Sequence, residues 1–327
     1  MNLWKLRLNM IVTMMLVITV TTGFLAVILS IMGVSLFLML PIIILWNLVQ
    51  WLIGPYLIDY IYRVRPLNEG ELPWLEQSVE KLSERSGFKK APKIMISDIP
   101  LPNAFAYGSP LTGSRVAVTR GLLDNLNEAE VEAVIGHELG HLKHKDVQIM
   151  MFLSVLPAIV YWIAYSLYYS GVFSSRSSRE RGNGGLLLLV GMLGMALYYI
   201  LTLLILSFSR SREYYADYHG STVSDGGPLS LASALVKISD ANARTRERVK
   251  TSLAGYASFK TLLIVDPEAS TKAELGRTYD IRSLEEFASR DITASERLVE
   301  ALSTHPNVKK RVRNLLELHK ALSGQPQ

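Results

Sequence analysis

The chain has 327 residues, 49% of them hydrophobic and 19% charged, with a formal net charge of +5. It contains no cysteine, which excludes disulfide frameworks, thiol catalysis and cysteine-ligated zinc or iron–sulfur sites. All charged residues lie outside three uncharged runs, at 8–58, 147–175 and 182–209. This segregation excludes a soluble enzyme and a disordered chain, and it predicts a membrane protein. The modest basic charge suits anionic lipid headgroups better than nucleic acid, which is not an expected partner.

The first uncharged run is long enough for two membrane-spanning helices, predicted at 10–29 and 36–58. Together they form an N-terminal hairpin over residues 1–58. Lys5 and Arg7 before an apolar stretch are also typical of a cleaved signal peptide, but no small-residue cleavage site ends this stretch. The anchor is therefore the preferred interpretation.

The first soluble segment, residues 59–148, is predicted to contain both helices and strands. Apolar residues at helical spacing predict an amphipathic helix over 72–86. Alternating patterns predict three strands, at 93–98, 103–107 and 115–120. Asn127 is expected to begin the next helix, with Glu130 as its capping-box partner.

A second pair of spans is predicted at 149–173 and 186–208, forming a hairpin over residues 149–208. The second soluble segment covers 209–327. Lysines and arginines near the span ends favour cytoplasmic termini and cytoplasmic soluble segments by eight to three, although the loop between the spans is arginine-rich.

The second soluble helix carries an H-E-x-x-H pattern at His137, Glu138 and His141. Positions i and i+4 share a helix face, so both histidines can bind one zinc ion. Glu138 is placed to take a proton from water in the open coordination position. The alternative is a pair of unrelated surface histidines.

A catalytic zinc needs a third protein ligand, and the sequence offers two candidates. The metzincin pattern is excluded because Val147 stands where its third histidine would be. His144 is one candidate. Glu213 is favoured, because pairing the last two spans brings it to about the same height above the membrane as His141.

Asp217, four residues after Glu213, shares its helix face and can accept the ring N–H of a ligating histidine. In the alternative interpretation, Glu213 and Asp217 pair with Arg210 or Arg212 along an exposed helix.

Five segments carry a resemblance to a known family: 103–108 (Asn-Ala-Phe-Ala-Tyr-Gly), 116–123, 137–141, 209–217 and 304–306. They resemble the membrane-embedded gluzincin peptidases of the HtpX type and, more distantly, the CaaX prenyl proteases. The resemblance implies an α+β membrane protein with four transmembrane helices. Its cytoplasmic peptidase domain would be mainly helical, with a small β-sheet.

The resemblance also implies the roles of individual residues. One zinc ion per chain would be bound by His137, His141 and Glu213, with Glu138 as general base. Asp217 would orient one of the ligating histidines. An edge strand would bind extended substrate through its backbone; this strand comprises Asn103, Ala104, Phe105 and Ala106. In the alternative, it is an ordinary strand whose phenylalanine packs in the core.

For the C-terminal region, the predictions rest more on the local sequence than on the resemblance. His305 would donate a hydrogen bond to the oxyanion, or would simply precede Pro306 at a helix N-terminus. The final helix is predicted to bury Val308, Val312 and Leu315 and to expose a basic face. That face comprises Lys309, Lys310, Arg311 and Arg313. His219 and His319 are expected at the surface.

The predicted function is that of a multi-pass zinc endopeptidase of the cell (inner) membrane. It would cleave polypeptides, namely misfolded or damaged membrane proteins, in stress-related quality control. The alternatives are a CaaX-type prenyl endopeptidase, a non-catalytic metal-binding membrane sensor and an inactive scaffold. The short loop at 174–185 leaves no room for a sensor's extracytoplasmic ligand domain.

Overall fold

The computed structural model describes residues 36–174, 184–248 and 280–324, together with Leu16, Val20 and Phe24. Most of the predicted span at 10–29 and of the arginine-rich loop therefore lies outside the described residues.

The described residues form a mostly helical structure with a small mixed sheet. The helices are α1 (Leu36–Ile61), α2 (Pro73–Arg85), α3 (Arg120–Asn125), α4 (Glu128–Lys143), α5 (Asp146–Ser174), α6 (Gly184–Val223), α7 (Gly227–Arg248), α8 (Ile281–Ser289), α9 (Ala294–Ala301) and α10 (Val308–Leu322). The strands are β1 (Val64–Pro66), β2 (Lys93–Ser97), β3 (Ala104–Ser109) and β4 (Gly113–Thr119).

The chain divides into two compact units. One comprises residues 1–6, 51–147 and 209–327, and the other comprises 7–50 and 148–208. Among the described residues, two helices are long and apolar enough to cross a membrane: Asp146–Phe173 and Gly184–Val223. They contain the second predicted pair of spans.

The sheet lies in the first unit, with the strand order β1-β2-β4-β3. β1 pairs with β2 and β3 with β4 in antiparallel fashion, while β2 and β4 are parallel. Strands are present at all three predicted places. β1 is additional, because three residues are too few to show an alternating pattern. Among the described strands, β3 lies at one edge of the sheet.

The main core of this unit lies between the sheet, α2, α4, α7 and α10. As predicted, α2 buries one stripe, formed by Leu75, Val79 and Leu82. The predicted capping box is also confirmed: Asn127 accepts from the Glu130 backbone, and the Glu130 side chain accepts from the Asn127 backbone. The Glu130 carboxylate also accepts hydrogen bonds from α7, at Oε1 from Ser233 and at Oε2 from Lys237. The same side chain therefore caps α4 and ties its start to α7.

Helix α4 ends at Lys143 and does not continue into α5. The His144 and Lys145 N–H groups donate to Gly140 and Leu142 carbonyls, closing the last turn. Lys145 has φ 54°, in the left-handed region, and Asp146 begins the next helix. The motif helix thus ends two residues after His141.

Helices α4 and α6 pack at a distance that only a glycine permits. A Cβ on Gly220 of α6 would lie 2.6 Å from the backbone nitrogen of His137 and 3.0 Å from the Ala133 carbonyl oxygen. Both contacts are with backbone, which cannot rotate away. Gly220 therefore sets the separation between the helix with the two histidines and the helix with Glu213.

Gly220→Ala is expected to push the two helices apart, lowering the free energy of unfolding by about 1–3 kcal/mol and weakening metal binding. Thermal unfolding and zinc titration of the purified variant measure both effects. Gly185→Ala, on the same helix with open space around its Cβ, is the matched control and should leave both unchanged. Equal behaviour of the two variants would contradict the close-packing argument.

Candidate metal centre

The three predicted ligand side chains lie together in the first unit. Helix α4 places His137 and His141 one turn apart, with their Nε2 atoms 3.1 Å from each other. Glu213 approaches from α6, its Oε1 3.4 Å from His141 Nε2 and its Oε2 3.6 Å from His137 Nε2. Within the described part of the chain, this is the one group of three or more such side chains that could hold a metal ion.

Each histidine is oriented by a carboxylate on its other nitrogen. Asp217 Oδ1 lies 2.9 Å from His137 Nδ1, and Asp146 Oδ2 lies 2.7 Å from His141 Nδ1. A carboxylate at Nδ1 favours the tautomer with the proton on that nitrogen, which leaves a lone pair on each Nε2. Two lone pairs facing each other across 3.1 Å repel unless a cation lies between them.

The donor spacing fits zinc. Four donors held tetrahedrally at 2.0–2.1 Å from an ion are separated from one another by about 3.3–3.4 Å. The separations of 3.1, 3.4 and 3.6 Å found here bracket that value. Two imidazoles and one carboxylate are also a donor set of catalytic zinc, which leaves one coordination position open.

Arg311 neutralises the two acids of α6, Glu213 and Asp217, although the basic pattern of its helix predicts a position on the surface. Arg311 is 1% exposed. Its Nε and Nη2 donate to Asp217 at 2.9 and 2.6 Å, and its Nη1 lies 3.2 Å from Glu213 Oε2. Burial alone would lower the pKa of the guanidinium, but the two carboxylates raise it. The prediction of a solvated basic face is thus wrong for Arg311.

A second residue of the predicted basic face of α10 is buried as well. Lys309 is 5% exposed and its Nζ lies 2.9 Å from Glu296 Oε1, so its predicted exposure is also wrong. The apolar half of the prediction is confirmed, because Val308, Val312 and Leu315 are buried. Helix α10 therefore packs on the core with one face and on the acids with another.

Glu138 is held by the edge strand. Its Oε2 accepts the N–H of Ala106 at 2.8 Å, and the side chain is buried. Burial raises the pKa of Glu138 to about 7, although the nearby His141 opposes the rise. Burial likewise lowers the pKa of His137, against the effect of the Asp217 hydrogen bond.

The predicted substrate strand coincides with β3, except that Asn103 precedes it. Alternate residues of an antiparallel edge strand direct their backbone groups outward, and the Ala106 N–H, bonded to Glu138, is one of these. Phe105 instead packs in the core, its ring 5.1 Å from that of Tyr62. The backbone of this strand, not its phenylalanine, contacts the Glu138 carboxylate.

His305 lies beside Glu213. Its Nδ1 is 3.1 Å from Glu213 Oε2, and the side chain is 7% exposed. The residue precedes the N-cap of α10, Asn307, by two positions. Arg210 holds the preceding turn by donating to the carbonyl oxygens of Glu300, Ala301 and Ser303.

The remaining candidates lie elsewhere. His144 Nδ1 lies 2.7 Å from the Gly140 carbonyl oxygen, and its ring packs against Tyr215 rather than joining the ligand group. His219 is buried, with Nε2 2.9 Å from Ser86 Oγ, so its predicted surface position is wrong. Arg212 forms an ion pair with Asp146, a residue that no sequence pattern indicates as part of the site.

The chain is similar to known peptidases over most of its length. It is 41% identical over 277 residues to "Protease HtpX homolog" of Aeropyrum pernix, covering 85% of this chain and 84% of the relative. It is 35% identical over 288 residues to the protein of the same description from Thermoplasma acidophilum, covering 86% of each.

A solved structure shares the fold. The crystal structure of S. mikatae Ste24p matches with a TM-score of 0.52 at 18% identity, covering 95% of this chain and 66% of that one. The sequence profile of peptidase family M48 matches residues 69–319. Together with the relatives, this match shows that the chain belongs to peptidase family M48, whose members are zinc metalloproteases.

Proposed function

We propose that this metalloprotease is a multi-pass protein of the cell membrane that hydrolyses peptide bonds in misfolded or damaged membrane proteins. The apolar helices α5 and α6 support the membrane location, as do the uncharged runs. The lysine and arginine bias supports a four-span topology with both termini and the proposed catalytic site on the cytoplasmic side. Polypeptides and the lipid bilayer are the proposed partners.

The convergence of two imidazole Nε2 atoms and one carboxylate beside Glu138 is the observation that carries this proposal. His137, His141 and Glu213 are the proposed ligands. They would hold a zinc ion, which would supply the Lewis acidity that polarises a peptide carbonyl and acidifies water. Asp217 orients His137, and Arg311 keeps Asp217 and Glu213 ionised within the protein interior.

Glu138 is the proposed general base. It takes a proton from the attacking water and passes it to the leaving amine nitrogen, for which its carboxylate must stay close to the scissile bond. The hydrogen bond from Ala106 ties that carboxylate to β3, the strand proposed to bind substrate. An extended peptide added to this edge would therefore lie next to the base.

The outward backbone groups of β3 recognise a substrate strand with little regard to its sequence, as quality control requires. His305, whose Nδ1 lies 3.1 Å from Glu213 Oε2, is the proposed donor to the carbonyl oxygen as negative charge develops on it, through the ring nitrogen that carries the proton.

The proposal is tested with the full chain purified in detergent. The wild type should contain about one zinc per chain and cleave casein, and a chelator should abolish cleavage. A prenylated peptide in the same assay distinguishes general proteolysis from CaaX-type processing. Absence of chelator-sensitive cleavage of either substrate would refute the proposal.

Glu213→Ala should lose both zinc and cleavage, because a two-histidine site lacks the third ligand of a catalytic zinc centre. Metal analysis after dialysis measures this directly. Glu286→Ala, an exposed acid on α8, is the control and should retain zinc. Unchanged zinc content in Glu213→Ala would disprove its assignment as a ligand.

A further inference from the structure

Asp146 is the first residue of α5, directly after the break that ends α4. In an uninterrupted helix, residues five positions apart lie about 140° apart around the axis, so residues 141 and 146 could not touch. The break at His144 and Lys145 removes this restriction. As a result, Asp146 Oδ2 reaches His141 Nδ1 at 2.7 Å.

Asp146 is itself held by Arg212. The Arg212 Nη2 lies 2.7 Å from Asp146 Oδ2, and Nη1 donates to the Asp146 backbone carbonyl at 2.9 Å. Both residues are buried, at 4% and 5% exposure. One guanidinium thus fixes both the side chain and the main chain of Asp146, which leaves the carboxylate few other positions.

We propose that Asp146 is a positioning residue that holds His141 in the tautomer and orientation for binding zinc, and that Arg212 holds Asp146 in place. This inference rests on the proposed role of His141 as a ligand. It gives each histidine its own carboxylate–cation pair, because Asp217 and Arg311 stand behind His137 in the same way. Arg212 precedes Glu213 directly, so α6 provides both the proposed third ligand and the support for the second.

The test compares zinc affinity in Asp146→Asn, Arg212→Gln and wild type, using the full metal-free chain in detergent and competition with a chromophoric chelator. Both variants should bind zinc about 10–100-fold more weakly, since partners behind a ligand typically contribute that much. Asp225→Asn removes an exposed carboxylate that pairs with Lys81 and Arg85, and it should bind like wild type.

The two site variants change the local charge in opposite directions, which separates positioning from simple electrostatics. If charge alone mattered, Asp146→Asn would weaken zinc binding and Arg212→Gln would strengthen it. That result would overturn the proposal, as would wild-type affinity in both variants. If wild type itself bound no zinc, the proposed function would fail together with this inference.

The cobalt(II)-substituted protein gives a readout that does not depend on affinity or turnover. The visible bands of Asp146→Asn should shift relative to wild type, because the imidazole of His141 would no longer be held in one orientation. Should Arg212→Gln not fold, this spectrum decides the question. Superimposable spectra at full loading would overturn the proposal.

Discussion

Glu138→Gln is expected to reduce peptide cleavage by about 10²–10⁴-fold or more while about one zinc remains bound per chain. The amide has the size of the carboxylate, and its oxygen can still accept the Ala106 N–H. It cannot accept a proton from water, however, so the base is lost and the metal site is kept. Casein cleavage and metal analysis on the same preparation measure the two quantities.

Glu128→Gln is the matched control, because Glu128 is an exposed acid on the same helix. It should retain both activity and zinc. Proteolysis at the wild-type rate in Glu138→Gln would reject Glu138 as the base. Loss of zinc in that variant would instead indicate that Glu138 takes part in binding the metal.

Arg311→Met is expected to lower the free energy of unfolding of the metal-free chain by about 3–5 kcal/mol. The guanidinium is buried against Asp217 and Glu213, and its removal leaves two carboxylates with less compensation in the protein interior. The apparent unfolding temperature, followed by intrinsic fluorescence, should fall by on the order of 10 °C.

Lys320→Met provides the control on the same helix. Lys320 pairs with Glu285 at the surface, where both side chains are nearly half exposed, so its loss should change stability by less than about 1 kcal/mol. Adding Asp217→Asn to Arg311→Met should recover part of the lost stability. An unfolding temperature equal to that of wild type in Arg311→Met would show that the ion pairs contribute little.

The parts of the fold that depend on local patterns were predictable. The capping box of α4 needs only Asn127 and Glu130, three residues apart, and it is present. The strands predicted at 93–98 and 115–120 follow from alternating sequence patterns, and both are present. The three ligand candidates followed from a helical spacing and from the pairing of two apolar runs, and the structure brings those side chains together.

The missed residues depend on contacts between distant segments. Arg311 is one of four basic residues clustered in the first turns of an amphipathic helix, and the local sequence does not indicate which of them contacts a buried acid. A signal did exist: two acids proposed beside a metal site need a counter-charge, and α10, which holds Arg311, begins three residues after His305, itself a predicted site residue.

Asp146 was missed for a different reason. Its contact with His141 depends on the helix break at Lys145, whose left-handed backbone corresponds to no recognisable sequence pattern. His219 was missed because its partner, Ser86, is 133 positions away.

Arg311 follows Asp217 by 94 residues, and this separation has a consequence during translation. Chains emerge with the N-terminal end first, so the motif helix and both acids are made well before their counter-charge. Without α10, closing the site would bury two carboxylates that lack their cation, which costs several kcal/mol. The ion pairs that neutralise the two acids therefore cannot form until α10 has been synthesised.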